Sequence, residues 1–263
     1  MMKQALPSFY LSHGSPLDAL VFGESEQQRL DELAKYPQPK AILIMSPHWF
    51  TSGIKLTSSL APETIHDFYG FPDELFAIQY PAKGDLELAI YTQSLLTFAG
   101  YEVELDAQRG LDHGVWAPLR HLYPDADIPV VALSMPRTST PESLYKMGYA
   151  LRSLRQEGVL VIGSGSTTHN LRDVRQPGQP EYVTVFTDWL KTRLEKRELA
   201  TLLNYRSVAP YAQAAHPTDE HLIPLYFALG AAGDEWINLK HMNSEVRHSA
   251  IAMDSWMFGI NAE

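Results

Sequence analysis

The chain has 263 residues, of which 45% are hydrophobic and 11% aromatic, enough to bury a large core in a single α/β domain covering residues 1–263. Its formal charge of −10, with no basic stripe, argues against a nucleic-acid surface. The absence of cysteine excludes disulfides, thiolate nucleophiles and zinc–thiolate sites, so any metal must be held by nitrogen or oxygen, and 10 histidines supply imidazole.

The opening MMKQALPSFYLSHG contains no apolar core of signal-peptide length. No apolar run approaches the roughly 20 residues that span a bilayer. The expectation is a soluble cytoplasmic protein with neither a nucleic-acid nor a membrane partner. Nothing in the sequence sets an oligomeric state.

In chain order, Pro7–Leu11 reads as a first buried strand, followed by the turn Ser12-His13-Gly14-Ser15-Pro16. Glu24–Tyr36 is a polar helix stopped by Pro37 and Pro39. Ala41–Met45 is a second buried strand, after which Ser46-Pro47 halts the pairing and His48-Trp49 follows. Gly53–Ser58 suits a short edge strand. Ala61–Tyr80 is a long irregular connection of the kind that often carries function.

Asp85–Phe98 is a helix, Tyr101–Leu105 a strand, Val115–Leu122 a helix and Pro129–Met135 another buried strand. Thr140–Gln156 is a helix opened by Thr-Pro-Glu. Val159–Ile162 is a further core strand that leads through Gly163-Ser-Gly-Ser to His169. Glu181–Glu198 is a helix, Thr218 caps a helix running to about Gly230, and strands near Trp236–Lys240 and Ser249–Trp256 close the sheet. Strands that alternate with helices predict an α/β fold, its central sheet largely parallel and flanked by helices. Ligands in such sheets bind beyond the carboxyl ends of the strands.

His13, His48 and His169 each follow a buried strand. If those strands are neighbours, the imidazoles converge within ligand distance, and imidazole suits zinc and iron where thiolates are absent. His113, in LDHGVW, either caps and packs a helix start or serves as an acid or base near neutral pH. Glu220 and His221 lie about 100 degrees apart on a helix, so one is a candidate ligand and the other faces outward or supports it.

His66 could line a pocket, His121 ends a helix, and His216 could pack beneath the helix of His221. His241 and His248 read as solvated or structural. Ser15 either donates a hydrogen bond to a ligand or forms the turn. Gly163-Ser-Gly-Ser fits neither a dinucleotide loop nor a phosphate loop and reads as a tight turn allowing close backbone approach. No GxSxG elbow supports a serine hydrolase.

Six motifs in order, SHGSP, SPHWF, TIHDFYGFP, LDHGVWAPL, GSGSTTHN and HPTDEHLIPL, resemble the LigB-type class III extradiol dioxygenases, in particular their DOPA 4,5-dioxygenase-like branch. The likeness runs from about Pro7 to the C-terminal strand. It implies cleavage of a catecholic ring by O2 at one divalent metal ion per chain, Fe(II) for catalysis or Zn(II) as the bound ion. It also implies His13, His48 and His221 as metal ligands, His169 as base or further ligand, and His113 as an aid to proton transfer. The partners implied are a DOPA-like catechol and O2. Two other readings keep the same scaffold: a zinc-dependent hydrolase, and a regulatory protein that binds the metal without catalysis.

Overall fold

In the computed structural model, which describes residues 5–242 and 245–261, the apolar runs pair with one another. Along the chain run β1 (Ser8–Ser12), α1 (Glu24–Leu33), β2 (Ala41–Thr51), β3 (Ile54–Thr57), α2 (Asp73–Phe76), α3 (Leu86–Phe98), β4 (Val103–Asp106), α4 (His113–Leu122), β5 (Val130–Pro136), α5 (Pro141–Ala150) and β6 (Val159–Gly165). The rest adds α6 (Glu181–Glu195), α7 (Leu199–Leu203), α8 (Tyr205–Val208), α9 (Ala212–Ala215), α10 (Pro224–Ala231), β7 (Leu239–Met242), β8 (Val246–Arg247), β9 (Ile251–Ala252) and β10 (Ser255–Phe258).

Eight strands form one sheet in the order β4-β3-β5-β2-β6-β1-β10-β7. Its centre, β5-β2-β6-β1, is parallel throughout, and β3 and β10 join it antiparallel on either side. β3 is therefore an inner strand, with β4 outside it, rather than the edge that its length suggests.

The central strands are buried because each face meets its own core. Side chains alternate across a strand, so Leu43 and Met45 join Val131, Leu133 and Val161 beneath residues of α3, α5, α6 and α10. Ile42 and Ile44 join Phe9, Leu11, Ala132 and Ile162 beneath α4 and residues of the 61–82 connection. Each fully buried Leu or Ile contributes about 1.5–3 kcal/mol relative to exposure, which is why uninterrupted apolar runs settle here.

The strand order has a direct consequence for function. β1 and β2 lie on either side of β6, so the segments that leave their carboxyl ends share one edge of the sheet.

Several boundaries differ from the sequence reading. β2 continues past Met45, but its register against β5 jumps between Met45 and Phe50, and pairing with β6 ends at Met45. Ser46-Pro47 thus opens a bulge that carries His48 rather than ending the strand, since Pro47 has no N–H for the ladder.

Gly163-Ser164-Gly165 is the end of β6, not a turn, although the expected close approach is present. A Cβ on Gly165 would stand 2.1 Å from the His221 carbonyl oxygen, and one on Gly163 would stand 2.1 Å from that of Pro224.

The predicted Ser249–Trp256 strand is broken in two. β9 pairs with β8 in a separate two-stranded hairpin, and only β10 enters the main sheet. α5 stops at Ala150 and is followed by a 3-10 turn, Arg152–Arg155, in which the buried Arg155 guanidinium binds the carbonyls of Leu6, Ala232 and Gly259.

Candidate metal and substrate site

His13 directly follows β1, and its backbone N–H donates to the Gly165 carbonyl at 2.9 Å, tying it to the end of β6. His48 sits in the β2 bulge. Ser46 and Arg109 hold that bulge: the His48 N–H donates to Ser46 Oγ (3.2 Å), and Arg109 donates to the His48 carbonyl (3.3 Å). Both also bind the buried Asp112, Ser46 at 2.6 Å and Arg109 at 2.9 Å. His113 is the first residue of α4.

His221 precedes α10 in a turn, not within the helix as the sequence suggested. Its carbonyl accepts from Tyr10 Oη (3.1 Å) and from the Ser166 N–H (2.8 Å), so it has no role in a helical ladder, and the helix begins at Pro224. His169 lies four residues beyond the last residue of β6, with its N–H bound to the Ala215 carbonyl at 2.8 Å.

All five predicted histidines line one cavity of about 470 Å³. Their ring centroids lie 5.2 Å apart for His13–His48, 5.0 Å for His48–His221, 5.5 Å for His13–His221 and 4.0 Å for His48–His113. The nitrogens form two adjoining groups, His13/His48/His113 and His169/Glu220/His221, and within each the potential ligand atoms lie within 4.8 Å of one another. The predicted ligands are thus divided between the groups, with His113 as close to His13 and His48 as a ligand would be.

Hydrogen bonds define the tautomers. Ser164 Oγ donates to the Gly114 carbonyl at 2.6 Å, so toward His13 Nδ1 (2.9 Å) it can only accept. The His13 proton is therefore on Nδ1 and the lone pair on Nε2. His221 Nδ1 donates to Glu220 Oε1 at 3.1 Å, which makes Glu220 the support and His221 the ligand candidate. His48 Nδ1 stands 3.5 Å from Asp67 Oδ2, and His113 Nδ1 donates to Asp67 Oδ1 at 2.9 Å.

Burial, followed by the neighbouring imidazoles, holds His13 well below the ordinary histidine range. The same causes lower His221, and burial with the neighbouring His113 imidazole lowers His48. Burial pushes Asp67 up, but hydrogen bonding to His113 and the nearby imidazoles bring it down to about 2, so it is ionised. The rings are neutral, and their Nε2 lone pairs face inward.

Two observations show that a cation fits this arrangement. His13 Nε2 and His48 Nε2 face each other at 3.2 Å while each ring's Nδ1 is turned to an oxygen. The buried Nε2 of His221 has no hydrogen-bond partner. Converging imidazole nitrogens with an orphaned buried acceptor among them form a donor set that suits a cation.

His169 differs from these three. It stacks on His221 with centroids 3.5 Å apart and planes 9° from parallel. Stacked in this way, His169 would be less suited than His221 to hold an ion together with His13 and His48. Burial lowers His169 to about 4.

The remaining histidines are divided between structural positions and the cavity rim. His66 lies outside the cavity, its Nε2–H donating to the Ile78 carbonyl at 2.9 Å. His121 ends α4 against the Asp18 carbonyl (3.0 Å). His216 is fully buried, bound to the Thr167 carbonyl at 2.8 Å. His241 stacks on Trp256. His248, read as solvated or structural, lines the cavity. Ser15 caps the 3-10 turn Pro16–Leu20, as the turn reading of it expects.

Asp67 is the residue that sequence reading missed. It belongs to the quoted motif TIHDFYGFP, but its place depends on a distant bridge between Thr64 and Leu111. An acidic residue in a long loop expected to carry function was the available signal.

Comparison with known proteins agrees with the geometry. Residues 7–254 match the family described as the catalytic LigB subunit of aromatic ring-opening dioxygenase. A 4,5-DOPA dioxygenase extradiol of Beta vulgaris is 40% identical over 233 residues, covering 86% of this chain and 87% of that one. One from Escherichia coli strain K12 is 37% identical over 244 residues, covering 88% and 87%. The crystal structure of the uncharacterized protein JW3007 from Escherichia coli K12 superimposes with a TM-score of 0.80 at 31% identity, covering 97% of this chain and 100% of that chain.

Proposed function

The chain belongs to the LigB family of aromatic ring-opening dioxygenases, and from that premise we propose that it cleaves the ring of a DOPA-like catechol with O2 at a divalent metal held by His13, His48 and His221. The observation that carries this reading is the set of three neutral imidazoles, each with Nδ1 turned to an oxygen and Nε2 turned inward, at the buried end of a cavity large enough for a substituted ring.

Bound there, the ion would acidify and orient the two catechol hydroxyls, and iron(II) would add the redox chemistry that O2 requires. The protein supplies the rest. His169 is neutral at pH 7 and lies against His221, so it is placed to accept a proton from a catechol hydroxyl. Its stacked ring favours this role over that of a fourth ligand. His113, fixed by Asp67 at both its Nδ1 and its backbone N–H (2.9 Å each), keeps Nε2 for proton transfer beside His13 and His48. Phe68 and Phe71 line the wall and exclude water from the ring.

The test is anaerobic loading with Fe(II), confirmed by metal analysis, followed by O2 and a panel of catechols. Oxygen uptake together with a yellow ring-opened product is expected. Fully iron-loaded protein that consumes no O2 with any catechol contradicts the reading. A zinc hydrolase would instead turn over esters or amides with no need of O2.

A further inference from the structure

At about 470 Å³ the cavity is larger than a catechol ring fills, and its lining is of mixed character. The inner end is imidazole, with His13, His113 and His221 all buried. Leu17, Val174 and Ile251 give the lining an apolar part. At the rim stands Arg175, which is exposed and carries no hydrogen bond or ion pair among the described residues.

That freedom contrasts with two other arginines near the site. Arg109 is bound to Asp112 and Arg247 to Glu26. The other charged groups at the cavity are already engaged: Glu220 Oε1 accepts from His221 and Thr218, and His248 Nε2 lies 3.4 Å from Asp18 Oδ1. An unpaired guanidinium at a cavity mouth, in a chain of net charge −10, has no structural partner to explain its position.

The rim that carries it is fastened in place. Ser249 Oγ donates to the Gln176 carbonyl at 3.0 Å, joining the segment after β6 to the turn of the β8–β9 hairpin. Asn170 braces the same segment, with Nδ2 donating to Asp173 Oδ2 (3.0 Å) and to the Ala214 carbonyl (2.9 Å).

We propose that Arg175 is a specificity residue that binds a carboxylate on the ring substituent of the substrate, so that the enzyme prefers catechols with an anionic side chain. The proposal rests on the ring-opening reading of the inner site and adds the charge at the far end. The planar guanidinium offers a carboxylate two parallel N–H donors.

The test compares 3-(3,4-dihydroxyphenyl)propanoate with its methyl ester, which keeps the ring and removes the charge. Two quantities are measured on the full chain: kcat/KM of the iron-loaded enzyme, and Kd under anaerobic conditions. In Arg175→Gln the preference for acid over ester should fall about tenfold, through KM and Kd rather than kcat, and Arg175→Lys should restore part of it. A wild-type enzyme with no preference for the acid, or a preference that survives Arg175→Gln, overturns the proposal. If the wild type binds the acid through Arg175 yet opens no ring, the ring-opening reading fails and the carboxylate subsite stands.

Discussion

Asp67 is one carboxylate with three tasks: it accepts from the His113 backbone, from His113 Nδ1, and faces His48 Nδ1 at 3.5 Å. Removing its charge loosens the proposed ligand His48 and the proposed proton-transfer group His113 together. In Asp67→Asn, metal affinity should fall about 10- to 100-fold, the range found for residues that orient ligating histidines. Titration with a competing chelator measures this, and unchanged affinity would show that the Asp67 contacts do not orient the ligands. Histidines after strands could be recognised in the sequence because an apolar run that stops at turn residues has few interpretations. Asp67 was harder to find, since its partner His113 is 46 residues away and is brought to it by long-range contacts such as the pairing of Thr64 with Leu111.

The 219–223 turn is where local pattern and tertiary structure part. Thr-Asp-Glu reads as a helix start, but the His221 carbonyl is claimed by Tyr10 and Ser166, from β1 and the segment after β6. Those partners lie 211 and 55 residues away, beyond any local signal. The approach that allows this depends on Gly165 having no side chain, because a Cβ there would lie 2.1 Å from the His221 oxygen. Gly165→Ala should therefore push the turn off the sheet. A stability loss of about 1–3 kcal/mol is expected from the overpacking, with weaker metal retention because His221 moves away from His13 and His48. Thermal melting and metal analysis of the purified variant check both, and a variant with wild-type metal content would show that His221 is not held by this contact. β2 teaches the same lesson: the sequence located His48 correctly but took the bulge for a strand end, because the resumption of pairing at Phe50 is set by β5.

For the whole molecule, the parallel centre β5-β2-β6-β1 was legible from four apolar runs, whereas the mixed flanks were not, since β3 and β4 are too short to declare their direction. No described helix is long and apolar enough to cross a membrane. Stability should depend on pH through the core histidine His216. Burial lowers it to about 3, and its Nδ1 has no partner to receive a charge. Unfolded, it titrates near 6.5. Between those values the unfolded chain binds the proton and the folded one does not, so stability is retained above about pH 6.5 and falls as the pH drops toward 3. The slope from this one group reaches about 1.4 kcal/mol per pH unit. Melting curves of metal-free protein from neutral to mildly acidic pH should show it, and His216→Asn should flatten it. An unchanged slope in that variant would assign the acid sensitivity to other groups.

The central claim is that His13, His48 and His221 assemble a site where a catechol ring is opened by O2. Its most direct test is turnover of a catechol by the iron-loaded chain under isotopically labelled O2, followed by mass analysis of the product. The account predicts a ring-opened product that takes up both atoms of one O2 molecule, and loss of that product when His221 is replaced by alanine. Label-free product, or undiminished turnover by the His221→Ala protein, would contradict it.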